Sequence, residues 1–258
     1  MRLRGSLFHV GSGVYARRLC MVNKIVVVTA HPGDFIWSSG GTLYKYSQSG
    51  CEIHVIALTD GLRCESPIMI TDDCSLEGKR RQIESASSLL NITSVTFLGY
   101  DDMPLEIDNS GIIKIASIMN EMNPDIILTH AYCRDNTNPD HEAAAEIVNK
   151  AAEIASSNHK IFKNTMRSRP IPIFGFEPDN PENSRWIPGT FIDITPCMDM
   201  KMEAITRLPG FADRSARTYE QAVNRAIYCS GRGGVNGCKY AEAFSGSTPI
   251  CDHGYFVW

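Results

Sequence analysis

Residues 24–48, KIVVVTAHPGDFIWSSGGTLYKYSQ, and the run EIHVIALT at Glu52–Thr59 decide the fold. Between Lys24 and Thr29 run four apolar β-branched residues, Ile25 to Val28, which favours a strand. A helical pattern follows over 38–48, and the second apolar run is again a strand. Strand, helix, strand in that order is a βαβ unit, whose two strands lie parallel. The alternation continues with a helix over 78–90, a strand over 94–98 and a helix over 111–122, where Ile112, Ile115, Ala116 and Met119 share one face. The next strand, 125–129 (DIILT), is apolar throughout its interior, as a strand covered on both faces must be. A helix over 139–155 opens on Pro139 and carries Ala144, Ile147, Val148, Ala151 and Ala155 as one stripe. These elements predict an α/β fold, a Rossmann-like and mostly parallel sheet with helices on both faces.

Beyond residue 157 the pattern loosens. Prolines at 170, 172, 178, 181, 188 and 196 punctuate two short strands, expected at 172–176 and 190–194. Helices are expected near 198–207 and 218–229. The glycine-rich stretch 231–237 (GRGGVNG) lacks the strand-then-helix setting of a phosphate-binding loop and reads as an active-site or subunit-contact loop.

Composition excludes several classes. The 258 residues are 43% hydrophobic and 21% charged, ordinary for a globular chain. No apolar run approaches the roughly 18 residues of a membrane span. With 25 Lys+Arg against 29 Asp+Glu the formal charge is −4, and the bases are dispersed apart from Lys79-Arg80-Arg81, so nucleic acid is not an expected partner. Nine widely spaced cysteines with no C-x-x-C pair read as reduced thiols of a cytoplasmic protein. Residues 1–20, basic and without a continuous apolar core, read as a non-core extension, with 21–258 forming one domain.

In open α/β sheets ligands bind outside the carboxyl ends of the strands. The first strand ends in Ala30-His31-Pro32-Gly33-Asp34, the second in Thr59-Asp60-Gly61-Leu62-Arg63-Cys64-Glu65, and the fourth in His130, followed by Asn138-Pro139-Asp140-His141. His31, Asp34 and His141 would offer two imidazoles and a carboxylate with a position left open, which is how catalytic divalent metals are held. Zinc is the first expectation, with iron and manganese open to the same donors.

These residues resemble the PIG-L/LmbE-like family of metal-dependent enzymes, which includes N-acetylglucosaminyl deacetylases. The family signature is A-H-P-D-D-E after strand one, a T-D-G-E-like turn after strand two, and P-D-H at a helix start. Here the matches are Ala30-His31-Pro32-Gly33-Asp34, Thr59-Asp60-Gly61 and Pro139-Asp140-His141, over residues 24–155. The resemblance implies His31, Asp34 and His141 as metal ligands. The chain also departs from the deacetylase pattern. Gly33 stands where those enzymes carry the general base, Asn138 where they commonly carry a further His, and Leu62 where Glu is usual.

A branch of the same family, the 4-oxalomesaconate hydratases of gallate and protocatechuate degradation, is similar over more of the chain. It shares the small residue at 33, Asp34-Phe35-Ile36-Trp37 before Gly40-Gly41, Arg63-x-Glu65-Ser66, Asn138 before Asp140-His141, Phe176-Glu177-Pro178, residues 190–195 (TFIDIT) and Tyr240-Ala241-Glu242. That resemblance implies a metal-dependent hydro-lyase acting on a small, anionic, unsaturated oxo-acid, in a chain that forms homo-oligomers. Glu65 is the candidate base or proton donor. Asp140 would orient a ligand imidazole through its other nitrogen while serving the first turn of its helix. Asn138 would hydrogen-bond a substrate oxygen. Arg63, Arg134 and Arg232 are the candidate forks for substrate carboxylates. Two rivals stand beside the hydratase: a deacetylase of an N-acetylated amino sugar using Glu65 or Asp140 as base, and a metal- or carbohydrate-binding module without catalysis.

Overall fold

The computed structural model describes residues 22–63, 75–133, 138–157, 170–208, 212–246 and 250–251. Residues 1–20, Glu65 and Arg134 therefore lie outside the described residues. Strands β1 (Lys24–Thr29), β2 (Glu52–Thr59), β3 (Ser94–Tyr100), β4 (Ile126–His130), β5 (Ile173–Phe176), β6 (Thr190–Asp193), β7 (Ala241–Ser245) and β8 (Ile250–Cys251) form one sheet in the order β3-β2-β1-β4-β5-β7-β6-β8. From β3 to β5 every pairing is parallel. The chain turns antiparallel where β7 enters between β5 and β6.

Alternate residues of one strand serve opposite faces, and β1 shows it directly. Ile25 and Val27 pack into one core with α1 (Asp34–Gln48), α2 (Leu76–Leu89) and α6 (Met198–Thr206). Val26 and Val28 pack into a second core with α3 (Asn109–Met122) and α4 (Pro139–Ser156). A smaller third cluster joins α7 (Ala212–Gly231) to β6 and β7, and α5 (Pro181–Ser184) is a single turn. The α1 face sits close to the strand edge because Gly41 has no side chain: a Cβ there would stand 2.7 Å from Ile194 Cδ1.

The chain runs outward from β1 to β2 and β3, then restarts on the other side with β4 and β5. The carboxyl ends of β1 and β4 thus flank a topological switch point, the crevice where such sheets bind ligands. The expected strands and helices are present with shifted ends. Helix α1 begins at Asp34, four residues earlier than its pattern indicated, and α7 at Ala212, six earlier. β7, made of the short run AEAFS, had no counterpart in the pattern. The 231–237 loop folds back on the third cluster, with Val235 and Cys238 buried, and lines none of the space around His31.

Candidate metal centre and its cleft

His31 follows β1, His130 ends β4, Asp34 opens α1 and His141 lies in the first turn of α4. Gly33 caps α1 and Asp34 occupies its first turn, where a carboxylate is favoured by the helix dipole. α4 is opened by Asn138, whose Oδ1 accepts from Asp140 N at 3.1 Å, and by Pro139, whose missing N–H costs nothing there. All four site residues are buried.

Asp34 Oδ2 is the centre of the cluster. It accepts from His31 N at 2.8 Å and lies 3.3 Å from His31 Nδ1, 3.2 Å from His130 Nε2 and 3.7 Å from His141 Nε2. One ligand atom each from His31, Asp34 and His141 falls within 4.8 Å of the others. Bonds of 2.0–2.2 Å to a tetrahedral ion set neighbouring donors about 3.4 Å apart. The 3.3 and 3.7 Å edges around Asp34 match that spacing, so the donor set fits a divalent metal with one side left for water or substrate.

The surrounding groups fix the ring directions. His31 Nε2 meets Asp140 Oδ2 at 3.1 Å, leaving Nδ1 on the Asp34 side. Asp140 in turn accepts Met103 N and Leu105 N, both at 2.8 Å, so its carboxylate is held from the loop after β3. His130 Nε2 accepts from Ala30 N at 3.0 Å, tying the end of β4 to the end of β1, and its ring stacks on His141 at 4.1 Å.

Burial and charge act against each other throughout. Burial opposes a charge on His31, yet the Asp34 and Asp140 carboxylates beside it raise its pKa to about 10. Burial would keep Asp34 neutral, but the imidazoles of His31 and His141 hold it well below the usual carboxylate range. Burial favours neutral Asp140 too, and its bonds from His31, Met103 and Leu105 outweigh that. Burial, followed by the neighbouring His141, depresses His130 to about 4, so it stays neutral at pH 7.

The cleft beside this cluster has a volume of about 60 Å³ and is lined in part by His31, Asp34, His141, Asn138, Lys79 and Arg214. Trp37 forms one wall, and its indole fills the space over Gly33: a Cβ at 33 would stand 2.4 Å from Trp37 Cη2. Of the arginines expected to face substrate, Arg63 bonds Asp102 O at 3.1 Å and Asp101 Oδ1 at 3.3 Å. Arg232 lies over the Tyr228 ring at 5.4 Å. Neither lines this cleft, and Arg214, which does, went unread in the sequence. Its signal would have been an earlier start for α7. Next to the cleft, Glu177 accepts both Nε contacts of Arg225, at 2.9 and 3.0 Å.

A parallel sheet with a His-Asp-His cluster at its switch point defines a class of metal-dependent enzymes, and the comparisons specify which. Residues 26–152, just under half of the chain, match the family model described as PIG-L, GlcNAc-PI de-N-acetylase, and over that stretch the chain is similar to that family. Within it, a 4-oxalmesaconate hydratase of Pseudomonas putida is 28% identical over 232 residues, covering 87% of this chain and 89% of that protein. The crystal structure of the 4-carboxy-2-hydroxymuconate hydratase from P. putida superposes with a TM-score of 0.80 at 26% identity, covering 91% of this chain and 100% of that one. A diacetylchitobiose deacetylase of Thermococcus kodakarensis is 25% identical over 233 residues, covering 86% and 82%.

Proposed function

We propose that the protein is a metal-dependent hydratase that adds water to the double bond of 4-oxalomesaconate or a related unsaturated oxo-carboxylic acid, as in the breakdown of gallate-type aromatic acids. The observation that carries this is the Gly33–Trp37 contact, where an indole stands in the volume of any side chain at 33. Amide hydrolysis needs a group that takes a proton from water and returns one to a poor amine leaving group. Position 33 offers no such group and no room for one. The described carboxylates of the cleft are also engaged, Asp34 among three imidazoles and Asp60 by Arg80 at 2.8 and 3.2 Å. Hydration expels no leaving group: the water oxygen bonds one alkene carbon and a proton goes to the carbon beside the carbonyl.

His31, Asp34 and His141 would hold the metal, zinc being the expected ion, and when bound it would polarise a substrate carbonyl or lower the pKa of water towards about 7. Asp140 fixes the His31 ring through Nε2 and so keeps Nδ1 turned to the site. Asn138, whose Oδ1 accepts from Asp140 N, lines the cleft and is assigned to hydrogen-bond a substrate oxygen. Glu65 is assigned the proton transfers, and Arg134 remains a candidate for substrate carboxylates.

The test is loss of the conjugated absorbance of 4-oxalomesaconate by protein of quantified metal content, with His31→Ala as control. Metal-dependent loss that His31→Ala abolishes is expected. Release of acetate from an N-acetylated amino sugar, with the oxo-acid untouched, would overturn the proposal in favour of a deacetylase.

A further inference from the structure

We propose that Trp37 sets the shape of the substrate: its indole partitions the space around the metal donors, so that the cleft takes a thin, planar acid and shuts out a puckered ring. This rests on the hydratase reading and adds the shape of the molecule that is hydrated.

Three hollows meet at this side chain. The cleft beside His31 and Asp34 has a volume of about 60 Å³, and Trp37 lines it. Trp37 also lines a hollow of about 10 Å³ shared with His130, His141 and Glu177, and another of about 30 Å³ shared with Lys201 and Glu242. Among the described residues, Trp37 alone borders all three. Pockets that enclose drug-sized ligands run to roughly 300–1,000 Å³. The space beside the donors is a fraction of that, and the indole fills the volume through which the three hollows would otherwise join.

The ring is held in place. The edge of its six-membered ring rests against its own helix, where a Cβ at Gly33 would come within 2.4 Å of Cη2. Over its face the Arg214 guanidinium stands 4.8 Å from the ring centre, and that cation is itself paired with Asp179, Nη2 to Oδ2 at 3.4 Å, in the segment after β5. Trp37 is only 9% exposed. An arginine seated on an indole and paired with a carboxylate acts here as a prop, adding a cation–π attraction to the packing. Swinging the indole aside would therefore disturb contacts made by α7 and by the segment after β5.

Shape decides what such a cleft admits. The alkene, carbonyl and carboxylate carbons of an unsaturated oxo-acid are all trigonal, so the molecule is a slab about 3.5 Å thick and can lie beside the indole with its reacting end at the donors. A saturated ring, a pyranose included, is puckered and carries substituents above and below its mean plane. It reaches the donors only by displacing the indole.

The test uses two inert acids that carry the same three carboxylates on rings of different thickness, planar benzene-1,3,5-tricarboxylate and puckered cis-cyclohexane-1,3,5-tricarboxylate. Their affinities for zinc-loaded wild type, Trp37→Ala and Trp37→Phe are measured by calorimetry at pH 8, with melting temperature and zinc content as controls. A mismatch of one methylene is worth about 10–200-fold in an apolar site, so wild type is expected to bind the planar acid about 10-fold or more tighter than the puckered one. Trp37→Ala should gain affinity for the puckered acid and bring the two to nearly equal binding, with Trp37→Phe between. A merely structural role would weaken both acids alike and leave their ratio intact, which would overturn the proposal, as would a wild type that binds the two equally or binds neither. If Trp37→Ala does not fold, Trp37→Phe decides, and an unchanged ratio there overturns the proposal as well. Should wild type turn over no unsaturated oxo-acid, the hydratase reading fails, while the selection by shape is still read from the two inert acids.

Discussion

Replacing Gly33 by alanine tests the packing of the cleft wall. The backbone at 33 has φ −89° and ψ −17°, which any residue adopts, so on conformational grounds alanine would stabilise the chain by about 0.4–1 kcal/mol. The added methyl would stand 2.4 Å from Trp37 Cη2, 2.9 Å from Cζ3 and 3.2 Å from Cζ2, well inside the about 3.5 Å at which carbons rest. Trp37 is 9% exposed and covered by Arg214, so the ring yields only by disturbing the cation above it. Overpacking of this kind costs about 1–3 kcal/mol. The difference leaves a net loss of up to about 2.5 kcal/mol, or roughly 2–4 °C of Tm per kcal/mol for a chain of this size. A double-mutant cycle with Trp37→Leu isolates the contact. With the ring gone, Gly33→Ala should become neutral or stabilising, giving a coupling of about 1–3 kcal/mol by urea denaturation. Additivity within 0.5 kcal/mol would refute the idea that the indole occupies the space over position 33.

Three further outcomes are expected. Lys201→Met strands the Glu242 carboxylate, 4% exposed, without its cation at 2.6 Å, and should destabilise the protein by about 3–5 kcal/mol in chemical denaturation; a loss below 1 kcal/mol would show that the Gly41 and Thr42 N–H groups suffice. Asp140→Asn removes the charged partner of His31 and should weaken zinc binding about 10–100-fold in chelator competition, with unchanged affinity refuting the orienting role. Because His130 falls to about 4 from 6.5, its contribution is present above pH 6.5 and is lost as pH falls towards 4. The raised His31 contributes fully below 6.5, and the depressed Asp34 loses its contribution only below its ordinary range, so neither masks the slope. Metal-free protein should lose about 2 kcal/mol between pH 6.5 and 4.5, and a flat profile would contradict a neutral His130.

The sheet was legible wherever periodicity and burial agree. β1, β2 and α4 lie close to their sequence patterns because each is long and has one chemistry per face. The end of α1 at the site was not, since Pro32-Gly33 reads as a turn and hides that Asp34 starts the helix. With that start misplaced, Gly33 and Trp37 do not appear as the i, i+4 neighbours they are. His31, Asp34 and His141 could be read because strand ends converge at a switch point whatever the loops do. The substrate arginines could not. Arg63 and Arg232 sit on rim loops in the sequence, but Asp101 and Tyr228 engage them, while Arg214 reaches the cleft through a tertiary path of 180 residues that no local pattern encodes. β7 was missed because five small or mixed residues carry no period of their own.

Glu242 has a consequence for how the chain is made. Its two carboxylate oxygens accept from Gly41 N at 2.9 Å and Thr42 N at 2.8 Å, across separations of 201 and 200 residues. Helix α1 carries Asp34, yet it cannot acquire these bonds until β7 has left the ribosome. At about 5–20 residues per second that interval is about 10–40 s, during which the first βαβ unit is exposed without its final clamp. The helix that carries Asp34 is therefore locked in place only when the far end of the chain arrives to lend it the Glu242 carboxylate.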